Sequence, residues 1–80
     1  MSKWEKLLQR ISALSKDIRF RELRSVLKSY GYEGRPPSSG SSHWTFRKRG
    51  RPPITVPCNE PIKLTYVRMV REIILSEEAE

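Results

Sequence analysis

Eighty residues with a formal net charge of +7 and 36 % apolar side chains make one small, tightly patterned domain and leave no room for a second. A single cysteine, Cys58, excludes an internal disulfide, and with a single histidine, His43, it excludes a four-ligand Cys/His zinc site. No run approaches the roughly 18 apolar residues of a membrane-spanning helix, and no signal-peptide run follows the first residues, so no membrane partner is expected and the chain reads as cytoplasmic.

Trp4, Leu7, Leu8, Ile11 and Leu14 recur at helical spacing and predict an amphipathic first helix. Ser15-Lys16-Asp17 interrupts it, with Asp17 placed to N-cap a second helix. In that helix Phe20, Leu23, Leu27 and Tyr30 share one face with Val26 beside them, while Arg21, Arg24 and Lys28 form a separate basic stripe. Gly31 is suited to end it in the left-handed C′ conformation. A short strand starting near Tyr32 gives way to the loop 34–42, whose prolines and glycines exclude a regular helix.

His43-Trp44-Thr45-Phe46-Arg47 alternates and is rich in β-formers, which predicts a strand with Trp44 and Phe46 on one face and His43, Thr45 and Arg47 on the other. A basic turn over 48–53 leads to the returning strand Ile54-Thr55-Val56, closed by Pro57, so the two runs form an antiparallel hairpin. After a linker over 58–63, Tyr66, Val67, Val70, Ile73 and Ile74 mark a C-terminal helix with Arg68, Arg71 and Glu72 facing out. Residues 76–80 read as an acidic tail. This order predicts an α+β fold with helices on one face of a small antiparallel sheet.

The charge is concentrated. Residues 19–51 carry nine basic side chains against Glu22 and Glu33, whereas the last part of the chain is net acidic. A basic centre of this kind points to an anionic partner, most simply a nucleic-acid phosphate backbone, ahead of the alternative of a solvated surface that keeps the protein soluble. His43 is the only side chain whose ordinary pKa lies near neutrality, which makes it the candidate for proton transfer. Cleavage of a phosphodiester requires a base near the 2′-hydroxyl and cations near the developing phosphorane charge, roles open to His43 and to Arg47, Lys48 or Arg49. The alternative is a histidine hydrogen-bonded on an ordinary strand surface. No Asp or Glu lies beside the serines near His43 to complete a nucleophile triad, and the dispersed carboxylates form no metal-ligand spacing, so no metal or other cofactor is expected.

A helix ending Tyr30-Gly31-Tyr32, then Gly40-Ser41-Ser42-His43-Trp44-Thr45-Phe46, then Ile54-Thr55-Val56-Pro57, then a helix containing Thr65-Tyr66-Val67 resembles the HicA toxins over residues 18–75. Ser42 stands where that family usually has His or Asn, and Cys58-Asn59 stands where many relatives have His. The resemblance implies an α-β-β-β-α sandwich like a double-stranded-RNA-binding domain, here preceded by a helical extension over 1–17. It implies metal-independent mRNA cleavage by an endoribonuclease with His43 as catalytic residue, and neutralisation by a HicB-like antitoxin. The RNA contacts expected on this reading are Arg21, Arg24, Lys28, Ser41, Ser42, Arg47, Lys48, Arg49 and Arg51. A non-catalytic RNA-binding module of the same fold and a protein that receives an acidic protein partner are the competing readings.

Overall fold

A computed structural model of the chain describes residues 2–38 and 42–78. Its elements are α1 (Lys3–Ser12), α2 (Phe20–Ser29), β1 (Glu33–Arg35), β2 (His43–Arg47), β3 (Ile54–Pro57) and α3 (Leu64–Glu78). The α+β class and the order of elements agree with the sequence pattern.

Helix ends explain where the sequence pattern was followed and where it was not. Ser2 caps α1, its hydroxyl accepting from the Glu5 N–H at 3.1 Å. The helix closes with Leu14 in the left-handed region (φ 55), while the Ser15 and Leu14 N–H groups donate to the Arg10 and Ile11 carbonyls at 2.9 and 3.0 Å. This places a leucine where glycine is the usual choice, and Leu14 still packs against the core although the helix has ended. The second helix closes the same way with the expected residue. Gly31 has φ +93, and the Tyr32 and Gly31 N–H groups donate to the Leu27 and Lys28 carbonyls, each at 3.0 Å.

Asp17 does not cap α2. The N-cap is Arg19, whose N–H donates to Glu22 Oε1 at 3.0 Å, and Glu60 from the distant linker accepts from the Phe20 N–H at 3.0 Å. The reason is Ile18, which is fully buried and whose carbonyl accepts from the Ile62 N–H, so the chain stays extended past Asp17 before it turns into the helix. Asp17 instead accepts from the Ser15 hydroxyl and from Arg10, and these two hydrogen bonds hold its pKa below the ordinary carboxylate value.

The three strands form one antiparallel sheet in the order β1-β2-β3. Gly34 lies opposite Phe46, and Trp44 and Phe46 lie opposite Val56 and Ile54. These residues make the inner face, on which α2 packs through Phe20, 6.1 Å from the Phe46 ring. Gly34 is required there, because a Cβ would sit 2.6 Å from the Phe46 ring. The opposite face carries Glu33, Arg35, His43, Thr45, Arg47 and Thr55, none of them buried.

A single core joins the three helices to β2 and β3. Leu7 and Ile11 of α1 belong to the same cluster as Leu23, Val26, Phe46, Val56, Val67 and Val70, so the apolar stripe of α1 packs into the core of the domain. Residues 76–78 are not a tail but the last turn of α3, and they are held against the rest of the molecule. Glu77 receives Lys48, and the Tyr30 hydroxyl donates to Glu78 at 3.4 Å. Arg71, expected to face out, is half-buried. Among the described residues no helix is long and apolar enough to cross a membrane.

Candidate nucleic-acid interface

The sheet divides the sequence-predicted site residues into separate surfaces. His43 opens the central strand on the face away from the helices, and it is exposed. Strand alternation puts Arg47 on that same face beyond Thr45, with Cα atoms about 6.6 Å apart per two-residue step. The strand is fixed at this end by its ladder. His43 lies opposite Pro57, and one residue further the Cys58 N–H donates to the Ser42 carbonyl at 2.6 Å. Ser42 is therefore exposed beside His43, whereas Ser41 lies outside the described residues.

Arg35 completes this face and was not singled out from sequence. It lies opposite Thr45, which places it between His43 and Arg47 and one strand over, about 4.8 Å away in backbone spacing. Its side chain is 73 % exposed, and its contact with Glu33 at 3.8 Å is the kind of surface pair that contributes little. A three-residue strand is too short to show alternation, so nothing in the sequence announced which way Arg35 would point. His43, Arg35 and Arg47 together put an imidazole and two guanidinium groups on one sheet face, and Arg49 is exposed in the turn beyond Arg47.

Arg21, Arg24 and Lys28 lie on α2, on the other side of the sheet. All are exposed, and none makes an ion pair among the described residues. The Arg24 guanidinium sits over the Trp44 ring, 4.8 Å from its centroid. At an exposed position such a contact is worth about 0.5–1 kcal/mol, so it leaves Arg24 available to other partners.

Lys48 and Arg51 are engaged differently. Lys48 Nζ donates to Glu77 Oε1 at 2.6 Å and lies 5.8 Å from the Tyr32 ring centroid, while Arg51 reaches Glu77 at 3.5 Å and Ser76 at 3.3 Å. These cations fasten the β2–β3 turn to the end of α3. The Lys48 hydrogen bond, together with the charges of Lys48 and Arg51, outweighs burial and lowers the Glu77 pKa. A carboxylate depressed in the fold contributes stability that is complete above its unfolded pKa and is lost as the pH falls through its folded one. Thermal melts carried from neutral pH into acid should therefore show Tm falling below about pH 4.5, the ordinary glutamate value. Glu77→Gln should lower the neutral-pH Tm and make that fall shallower. Glu22 leaves a residual slope, because Arg10 at 2.8 Å and the Arg19 N–H overcome its burial and lower its pKa too. A variant with an unchanged acid limb would show that the Glu77 contacts do not hold the turn.

Among the described residues no group of three or more His, Cys, Asp or Glu is arranged to hold a metal ion. No family model matches the chain, and neither the curated proteins nor the solved structures include a significant match to it.

Proposed function

We propose that the chain is an RNA-cleaving toxin of the HicA type, with its last five elements, α2-β1-β2-β3-α3, acting as a double-stranded-RNA-binding-like sandwich. The observation that carries this reading is the position of His43. It is the first residue of the central strand, exposed on the sheet face that α2 does not cover, with Arg35 and Arg47 on the same face. His43 and Pro57, the last residues of the two segments that resemble the family, pair here across the ladder.

The chemistry follows from what an imidazole and neighbouring guanidinium groups do to a ribose phosphate. His43 takes the proton of a 2′-hydroxyl as its oxygen forms a bond to the adjacent phosphorus. The bond from phosphorus to the 5′-oxygen breaks, leaving a 2′,3′-cyclic phosphate, and the departing 5′-oxygen takes a proton from water. Arg47 and Arg35 stabilise the charge that builds on the phosphorane oxygens. No metal takes part in this sequence of bond changes. A HicB-like antitoxin is the expected neutralising partner.

Inducible expression of the wild type and of His43→Ala, with growth and total RNA integrity followed in parallel, tests the proposal. Growth arrest with RNA loss in the wild type alone supports it. Arrest and RNA loss that persist in His43→Ala reject it, and RNA binding without scission in either protein points instead to a non-catalytic binding module.

A further inference from the structure

Trp44 is the one inner-face side chain of the hairpin that is left half-exposed, while Phe46, Ile54 and Val56 are 1 %, 7 % and 0 % exposed. The cause is the shortness of β1. Its ladder with β2 ends at Arg35 opposite Thr45, so no β1 residue pairs with Trp44. The ring is backed by Phe20 at 5.4 Å and by the nearly parallel Phe46 ring at 6.4 Å, and the Arg24 guanidinium lies over it at 4.8 Å. A half-exposed indole backed by two aromatic rings, with an exposed guanidinium over it, offers a stacking position.

Two further observations give that position a ligand. Arg24 and Lys28 lie four residues apart on α2 and make no ion pair among the described residues, so neither loses a carboxylate partner on meeting a phosphate. Between α2 and β1 runs a cleft of about 240 Å³ lined by Arg24, Lys28, Tyr32, Glu33, Gly34 and Phe46. The Glu33 carboxylate at its rim lies 3.8 Å from Arg35.

We infer that Trp44, Arg24 and Lys28 form a binding site for one unpaired nucleotide of a single-stranded RNA, with its base on the Trp44 ring and its phosphate between Arg24 and Lys28. Stacking of a base on an aromatic ring is stronger than an exposed cation–π contact, so the base displaces the guanidinium, which turns to the phosphate. Duplex RNA keeps its bases paired and stacked and has no free base face to offer a ring set between a helix and a sheet. The inference rests on the RNA partner proposed above and makes the substrate single-stranded; it does not rest on the chemistry of His43.

Replacing Trp4, the only other tryptophan, with phenylalanine leaves Trp44 as the sole emitter. This Trp4→Phe protein is titrated with an uncleavable 2′-O-methyl RNA single strand and, separately, with the same strand in a full duplex. The expected result is quenching of Trp44 by the single strand and binding at least about tenfold tighter than the duplex. In otherwise wild-type protein Trp44→Leu, its fold checked by circular dichroism, should weaken single-strand binding about tenfold and leave duplex binding alone. Should that variant unfold, Arg24→Gln in the Trp4→Phe background decides the matter, because it should keep the quench while reducing affinity and the salt slope by about one. Equal binding of duplex and single strand, or binding with no change in Trp44 emission, overturns the inference. Quenching by RNA that the wild type never cleaves would remove the nuclease reading and keep this site, and cleavage without quenching would do the reverse.

Discussion

His43→Ala is expected to lower the rate of RNA cleavage by about 10²–10⁴-fold, the usual contribution of a positioned acid–base group. The fold should not change. His43 is exposed and its strand is held by backbone pairing with β3, so stability should stay within about 0.5 kcal/mol of the wild type. Single-turnover cleavage of a labelled RNA, beside a urea melt of each protein, separates the two effects. Partial recovery of the alanine variant by added imidazole would show that the lost group acts on a proton. A variant that melts early and cleaves slowly in proportion would mean that His43 supports the strand and not the reaction.

The largest structural effect belongs to Phe46. Its ring is 1 % exposed, lies 6.1 Å from Phe20 and 6.4 Å from Trp44, and fills the space that Gly34 leaves by lacking a side chain. Phe46→Ala should cost about 3–5 kcal/mol, because it removes a fully buried aromatic and leaves a cavity between sheet and helix. Small domains have total stabilities of only about 5–15 kcal/mol, so much of this one's margin would go. Equilibrium urea unfolding measures the loss. A change under about 1 kcal/mol would mean that Phe20 and Trp44 collapse into the gap, and that the core is less tightly determined than its burial indicates.

Strong local patterns made much of the architecture readable from the sequence. The alternation His43 to Arg47 fixed the two faces of β2, and the Tyr30-Gly31 pair marked the end of α2, where Gly31 does adopt positive φ. What could not be read was set by contacts between distant residues. The cap of α2 involves Glu60, 40 residues away, and the start of the helix is displaced by the burial of Ile18. Residues 76–78 looked like a solvated acidic end because their partners, Lys48, Arg51 and Tyr30, belong to other elements. The same limit applied to the site. Periodicity could place Arg24 and Lys28 on a stripe of α2 and His43 on a strand face, but it could not say that the sheet would stand between them. Nor could it show that a three-residue β1 would bring Arg35 opposite Thr45, on the face that carries His43, and leave Trp44 half-exposed.

The central claim is that His43 drives attack by the neighbouring 2′-oxygen on an exposed sheet face. Its most direct test is cleavage by the purified protein of a single-stranded RNA matched with a strand carrying 2′-deoxy sugars at the cleaved positions, with the 3′ ends of the products identified by mass. The account predicts cyclic-phosphate ends from the RNA with the wild type, no scission at the deoxy positions, and almost none with His43→Ala. Scission at the deoxy positions, or undiminished cleavage by His43→Ala, would contradict it.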